Sequence, residues 1–195
     1  CAGGDVVSLH HAMAQGKPTS LVEDFFTLEY QLDYLIHCYE KPFLVWGHGI
    51  VMGGGLGLMA GASHRVVTET SRIAMPEQTI GLYPDVGGSY FLHKMPQGVG
   101  LFLGLTSASI NCEDARFVSL ADHFIDSTKY DAMLAQILAA KCGKTASLNH
   151  ERLTKLLTDL DNQSARMPKG NIKANLATIQ KLAELNTLQE QVDYI

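Results

Sequence analysis

The stretch MPEQTIGLYPDVGGSYF, residues 75–91, places two carboxylates in otherwise apolar and glycine-rich sequence. Glu77 directly follows Pro76, and Asp85 directly follows Pro84. Because proline fixes φ and biases the residue before it away from helix, the stretch predicts a folded loop. A carboxylate in apolar surroundings costs free energy unless it is paired or used in chemistry. Glu77 and Asp85 are therefore the first candidates for a functional site.

The overall composition is that of a globular protein, with 46% hydrophobic and 18% charged residues among 195. This length allows one well-buried domain, or a core with an appendage. The 15 basic and 20 acidic residues give a net charge of −5, and no run of five basic residues occurs, so nucleic-acid binding is not expected. No apolar run approaches the length of a membrane span, so no membrane partner is expected either.

The cysteines and histidines give no sign of a disulfide framework or a metal site. Cys1, Cys38, Cys112 and Cys142 lie far apart without a CxxC pair, which is typical of reduced thiols. The histidines form no HExxH or other regular ligand spacing, so no metal is expected. The chain opens on Cys-Ala-Gly-Gly-Asp without an initiator methionine, which leads us to expect a piece of a larger protein.

Strand and helix patterns alternate up to about residue 126, and only helix patterns follow. Residues 1–18 predict a flexible segment and a polar connector, and Ser20 to Glu23 has the capping-box spacing that begins a helix. Strands are predicted at 43–46, 64–68, 72–75 and 122–126. Helices are predicted at 20–37, just after the glycines at 53–55, and at 87–94, 98–105, 111–119, 130–141, 151–160, 172–185 and 188–195. The sequence therefore predicts an α/β core over 1–128 and a helical appendage over 129–195.

The glycine cluster at residues 53–55 has two possible uses. Gly55 and Gly57 begin a GxGxxA match, but seven residues separate Trp46 from Gly54 and the helix that follows is short, which argues against dinucleotide binding. An exposed backbone N–H at the helix start could instead donate to a substrate carbonyl, with residues 1–5 supplying a second donor. The glycines could equally serve only close helix–strand packing, and the residue types leave both readings open.

Three motifs in order, CAGGD at residue 1, HGIVMGGGLGL at residue 48 and the stretch at 75–91, resemble the crotonase (enoyl-CoA hydratase/isomerase) superfamily. The resemblance is closest to its 3-hydroxyisobutyryl-CoA hydrolase branch. It covers residues 1 to about 130 strongly and the remainder weakly. It implies a crotonase-like ββα spiral core, here without the N-terminal strands, followed by a helical C-terminal region.

The resemblance also assigns roles to individual residues. The backbone N–H groups of the family's oxyanion hole fall on Gly4 and Gly54. Of the two hydratase glutamates, the second matches Glu77, whereas the first falls on Gly57, which has no side chain. Asp85 stands where hydratases usually have glycine, and the Glu77/Asp85 pair is typical of the hydrolase branch.

A further acidic residue of the hydrolase branch falls on Glu29. Helical periodicity alone would make Glu29 a solvated residue, and Asp85 could alternatively cap a helix beginning near Val86. The resemblance instead implies that Glu29, Gly54, Glu77 and Asp85 contact the substrate, with Glu77 and Asp85 catalytic.

The function implied by the resemblance is hydrolysis of an acyl-CoA thioester, specifically 3-hydroxyisobutyryl-CoA in valine degradation. No cofactor is implied, since CoA enters as part of the substrate, and self-association is possible. The expected location is cytoplasmic in a bacterium and the mitochondrial matrix in a eukaryote. The alternatives are a hydratase or isomerase with Glu77 as its only acid/base, and a non-catalytic fragment that only binds acyl-CoA.

Overall fold

The computed structural model describes residues 1–16 and 20–195, which contain ten α-helices and five short strands. The helices are α1 (Val6–Ala14), α2 (Ser20–His37), α3 (Gly54–Ala60), α4 (Gly88–His93), α5 (Val99–Thr106), α6 (Cys112–Phe117), α7 (Tyr130–Ala139), α8 (Ala146–Asn162), α9 (Leu176–Leu182) and α10 (Leu188–Tyr194). The strands are β1 (Leu44–Gly47), β2 (Ile50–Met52), β3 (His64–Val67), β4 (Arg72–Ala74) and β5 (His123–Phe124).

The strands form two sheets, and the strands within each sheet are parallel. Successive turns of the chain contribute strands to both sheets. One sheet has the order β1-β3-β5 and the other pairs β2 with β4. The first turn of the chain supplies β1, β2 and α3, and the next supplies β3 and β4, so each of these two turns adds one strand to each sheet. Cys1 extends the second sheet, because its carbonyl accepts from Met52 N at 3.0 Å. This arrangement confirms the predicted ββα spiral core with a helical C-terminal region.

Helices of the C-terminal region pack on the same core as the sheets. Ile172 and Ile179 belong to the main apolar cluster together with Ile73 of β4. Leu157 and Leu160, three residues apart on α8, form a second cluster with Val66 of β3 and with Ile125, which directly follows β5. These helices therefore bury apolar surface against the α/β core, and the division between residues 128 and 129 stays a prediction.

The N-terminal segment differs from the sequence expectation, because a helix replaces most of the predicted flexible connector. Asp5 caps α1 through its carboxylate, which accepts from Ser8 N at 3.0 Å. The helix escaped detection because its large apolar residues, such as Val6, Val7 and Met13, are exposed and follow no clear period. Residues 17–19 lie outside the described part, and so does any cap before Ser20.

Two other boundaries also differ from expectation. Ile50–Met52 is a strand that the sequence pattern did not separate from the glycine cluster. Helix α8 begins at Ala146 rather than 151, because Thr145 caps it by accepting from Leu148 N at 3.3 Å. Within residues 1–16 and 20–195, no helix combines the length and apolar character needed to cross a bilayer.

Candidate active site

The two glycine segments predicted to form an oxyanion hole lie side by side. A Cβ built on Gly3 would lie 3.0 Å from the backbone N of Gly54. Gly54 is the first residue of α3, so its N–H has no partner within that helix. Gly4 and Gly54 both line one cavity of about 220 Å³, which we call the carboxylate cavity. Among the described residues, neither of these two N–H groups has a hydrogen-bond acceptor.

All three predicted carboxylates line the same cavity. Glu29 comes from α2, Glu77 begins a short 3₁₀ turn (Glu77–Ile80), and Asp85 lies in the loop before α4. A Cβ on Gly54 would overlap Oε1 of Glu29, and one on Gly53 would lie 2.7 Å from Oε1 of Glu77. The glycines therefore let two carboxylates approach the start of α3 closely. The structure brings all five predicted site residues together in one cavity.

Glu77 is the most deeply placed of these carboxylates. The residue is 6% exposed, and its Oε2 is buried without a hydrogen-bond partner among the described residues. Burial raises the pKa of Glu77, and the charges of Asp85 and Glu29 raise it further. Burial and the charge of Asp85 also raise the pKa of Glu29. A buried, unpartnered carboxylate with a raised pKa is suited to act as a nucleophile or a general base.

Asp85 does not cap a helix, so that alternative is wrong. Helix α4 has Gly87 at its N-cap and no side-chain capping hydrogen bond. The Asp85 Oδ2 atom instead accepts a hydrogen bond of 2.7 Å from the hydroxyl of Tyr30. Burial, and then this hydrogen bond and the charge of Asp85, raise the pKa of Tyr30. The sequence offered no signal for Tyr30, because its partner is 55 residues away.

Val86 packs against Gly57, the position on which the family resemblance predicts the first hydratase glutamate to fall. A Cβ on Gly57 would lie 2.5 Å from the Cβ of Val86, far inside any real contact. Val86 is buried and has a φ of 43°, a region that β-branched residues rarely enter. Backbone strain of this kind costs about 1–3 kcal/mol and is concentrated at functional sites. Position 57 therefore carries no side chain, and Val86 leaves no room for one there.

We expect Gly57→Ala to destabilise the fold by about 1–2 kcal/mol, because overpacking against Val86 outweighs the gain in helix propensity. Gly104→Ala is the matched control, since it also lies inside a helix but its Cβ would meet Leu92 Cδ1 at an ordinary 3.6 Å. That control should be neutral or more stable than the parent. Urea unfolding of the three proteins measures both effects. Equal stability of the two variants would contradict the packing of Val86 described above.

The rest of the carboxylate cavity is largely apolar. The apolar side chains that line it include those of Val6, Leu9, Phe25, Phe26, Ile80 and Leu82. Among the described residues, no lysine or arginine lines it. An acidic cavity that no lysine or arginine of the described residues lines does not favour phosphate groups, so it is suited to an uncharged carbonyl group of a ligand rather than to a phosphate group.

Comparisons with known proteins identify the family to which this chain is similar. A family model described as enoyl-CoA hydratase/isomerase matches residues 1–195. The mitochondrial 3-hydroxyisobutyryl-CoA hydrolase of Xenopus tropicalis is 42% identical over 142 residues, which cover 73% of this chain and 36% of that protein. Small ribosomal subunit protein mS47 of Neurospora crassa is 42% identical over 138 residues, covering 70% of this chain and 27% of that protein.

A solved structure shares the fold over the whole chain. The crystal structure of an enoyl-CoA hydratase from Rhodobacter sphaeroides has a TM-score of 0.79 and 34% sequence identity. The match covers 100% of this chain and 52% of that one. The chain thus spans about half or less of the length of these relatives.

Proposed function

Because the chain belongs to the enoyl-CoA hydratase/isomerase family of the crotonase superfamily, we propose that it hydrolyses an acyl-CoA thioester. The observation that carries this proposal is that Gly4, Gly54 and Glu77 line one cavity, and that the buried Oε2 of Glu77 has no hydrogen-bond partner among the described residues. Glycine N–H donors can hold the thioester oxygen as negative charge develops on it. A carboxylate beside that oxygen can then deliver the attack on the carbonyl carbon.

Two routes through Glu77 give the same products. In one, Glu77 removes a proton from a water molecule whose oxygen attacks the carbonyl carbon, and the C–S bond then breaks. In the other, Glu77 attacks the carbon itself and releases CoA thiolate, and water then cleaves the resulting anhydride. Either route yields the free acid and CoA thiol, and restores Glu77.

Asp85 and Glu29 are proposed to support this chemistry from either side. Asp85, held by Tyr30, positions the attacking group and takes part in moving its proton. Glu29 contacts Gly54 and is placed to meet the acyl group beyond the carbonyl. The negative charge of each keeps the pKa of Glu77 raised. A raised pKa makes the Glu77 carboxylate a stronger base.

The proposed substrate is 3-hydroxyisobutyryl-CoA, which the name of the Xenopus tropicalis relative supports. CoA enters as part of the substrate, and no further cofactor or metal is proposed. Mitochondrial relatives support the mitochondrial matrix as the location if the source is eukaryotic, and the cytoplasm is proposed for a bacterial source. Self-association remains part of the proposal.

Two alternatives rest on specific relatives. The Rhodobacter sphaeroides structure favours hydration or isomerisation with Glu77 as the only acid/base, whereas the contact between Gly57 and Val86 argues against a two-glutamate hydratase. The ribosomal relative favours a non-catalytic role. Thioester hydrolysis, hydration or isomerisation, and a non-catalytic role differ in the products formed from an acyl-CoA, which can be measured directly.

The deciding experiment offers the purified protein 3-hydroxyisobutyryl-CoA, isobutyryl-CoA and crotonyl-CoA. Free thiol is followed with a thiol reagent, and hydration of crotonyl-CoA by the loss of enoyl absorbance. We expect thiol release from 3-hydroxyisobutyryl-CoA. Hydration of crotonyl-CoA without thiol release from any of the three would favour the hydratase, and no reaction would favour the non-catalytic role.

A further inference from the structure

Asp33 is a buried carboxylate that the proposed mechanism does not use. It lies one helical turn after Glu29 on the same face of α2. Both of its carboxylate oxygens are buried, and among the described residues neither has a hydrogen-bond partner. Burial, and then the charges of Glu29 and Asp85, raise the pKa of Asp33 to about 6. Burying a carboxylate without hydrogen bonds lowers the stability of the fold. Such a group calls for an explanation, and binding of a ligand is one.

Asp33 lines a second cavity, of about 330 Å³, which we call the Asp33 cavity. Its walls are mostly aromatic side chains and glycine backbone, with no lysine or arginine among the described residues. The aromatic and imidazole residues are Tyr30, Tyr34, His37, Tyr90 and Phe91. The nearby cation Lys94 lies over the Tyr90 ring, 3.8 Å from its centroid, and is exposed. Among the described residues that line this cavity, Asp33 is therefore the one carboxylate, and the other side chains are aromatic, imidazole or small and apolar.

The two cavities are neighbours, because consecutive residues of the same elements line both. Asp85 lines the carboxylate cavity and Val86 lines the Asp33 cavity. Likewise, Glu29 lines the carboxylate cavity and Tyr30 lines the Asp33 cavity. The hydrogen bond from Tyr30 to Asp85 therefore lies at the boundary between the two cavities. Four residues along a helix correspond to about 6 Å, so Asp33 lies about that far beyond Glu29 along the axis of α2.

We propose that the Asp33 cavity is a subsite for the distal end of a longer acyl group, and that Asp33 accepts a hydrogen bond from a donor on that end. The inference rests on the proposed thioester chemistry and adds a substrate class to it, namely acyl-CoAs carrying a hydroxyl or ammonium group beyond the β carbon. Both groups share the needed chemistry, since each donates to a carboxylate. The aromatic walls accommodate the alkyl chain, and they also favour a cation over their ring faces.

Binding measurements on a Glu77→Gln protein, which we expect to turn over substrate about 100- to 10,000-fold more slowly than the parent, test the subsite directly. The probes are hexanoyl-CoA, ω-hydroxyhexanoyl-CoA, ω-aminohexanoyl-CoA and the short 3-hydroxyisobutyryl-CoA, each titrated by calorimetry. Hydrogen bonds to a charged group lead us to expect the hydroxyl and amino probes to bind about 10- to 100-fold more tightly than hexanoyl-CoA. Asp33→Leu should reduce both ratios to about one while leaving 3-hydroxyisobutyryl-CoA little changed.

Asp33→Asn distinguishes the two donor groups and guards against a Leu variant that fails to fold. The amide oxygen of asparagine still accepts from a hydroxyl, so this variant should keep part of the hydroxyl preference and lose the preference for the amine. Asp24→Asn is the matched control, because Asp24 is an exposed acid of α2 that lines neither cavity, and its ratios should equal those of the parent.

The outcomes separate this inference from the proposed function. A ratio near one in the parent, or ratios that both Asp33 variants leave unchanged, would overturn the subsite even if 3-hydroxyisobutyryl-CoA is hydrolysed. Donor preferences that depend on Asp33 would sustain the subsite even if Glu77-intact protein hydrolyses no thioester. In that second case only the proposed reaction would fail.

Discussion

Glu77→Gln is expected to lower kcat for thioester hydrolysis by about 100- to 10,000-fold, the range typical of a lost general base. The substitution keeps the shape of the side chain but removes the negative charge that both routes to the products need. The Gly4 and Gly54 N–H groups that line the same cavity are unchanged by the substitution. Substrate binding should therefore be affected much less than turnover. Thiol release under saturating 3-hydroxyisobutyryl-CoA, with calorimetric binding in parallel, measures the two effects separately.

The same substitution should stabilise the fold at alkaline pH. Burial, and then the charges of Asp85 and Glu29, raise the folded pKa of Glu77 above its ordinary value of 4.5. Such a group contributes stability below its unfolded pKa and loses that contribution as pH rises through its folded pKa. Ionised Glu77 therefore opposes folding at alkaline pH, whereas the glutamine of the variant has no charge to bury. Thermal unfolding should show a higher Tm for the variant at alkaline pH and a smaller difference below pH 4.5.

Glu23→Gln provides the control, because Glu23 is an exposed acid of α2 outside both cavities. It should leave turnover and Tm close to the parent values. If Glu77→Gln retained parental turnover, Glu77 would be neither nucleophile nor base and the proposed mechanism would fail. If turnover fell while Tm at alkaline pH fell as well, the loss would reflect damage to the fold.

Asp85→Asn is expected to lower kcat by about 100-fold, the lower end of the range for a proton-transfer group, and to move the acidic limb of the kcat/KM profile to lower pH. The charge of Asp85 helps to raise the pKa of Glu77, so its removal lets Glu77 ionise at lower pH. The asparagine can still accept from the Tyr30 hydroxyl, which keeps the local structure. A pH–rate profile of the variant therefore reports the electrostatic role of Asp85 separately from its structural one.

Tyr30→Phe is the companion variant, since it removes the hydrogen bond to Oδ2 of Asp85 but leaves the carboxylate. We expect a smaller loss of kcat and no shift of the acidic limb to lower pH. Full activity and an unshifted profile in Asp85→Asn would mean that Asp85 serves only as the hydrogen-bond partner of Tyr30. The role of Asp85 in the mechanism would then have to be abandoned.

Much of the site could be predicted because its backbone geometry requires particular residue types, which are visible as short motifs in the sequence. Gly4 and Gly54 lie where a side chain would overlap a neighbouring residue, so glycine is required there and is visible in the sequence. Glu77 and Asp85 follow prolines in an apolar loop, which makes their charges conspicuous. Glu29 was found only through the family resemblance, since helical periodicity alone gave it the pattern of a solvated residue. Its proximity to Gly54 is a contact across 25 positions that no local pattern encodes.

Tyr30, Asp33 and Val86 were missed for the same physical reason. The hydroxyl of Tyr30 matters because α2 packs beside the loop that contains Asp85. Asp33 matters because that packing buries both of its oxygens. Val86 matters because the positive φ of its backbone turns its side chain toward Gly57. The hydrogen bond, the burial and the side-chain contact each arise only when segments that are distant in the sequence pack against each other.

The sequence by itself determined the glycines, the paired carboxylates and the alternation of strands and helices, and with them the family and the spiral core. These features are local, because φ preferences, side-chain volume and hydrophobic period are properties of residues and their near neighbours. Only the tertiary structure decided that Asp85 binds Tyr30 rather than capping α4, and that Val86 fills the space beside Gly57. It alone placed both buried oxygens of Asp33 in a second cavity, without a hydrogen-bond partner among the described residues, because burial and charge proximity arise only when distant segments pack together.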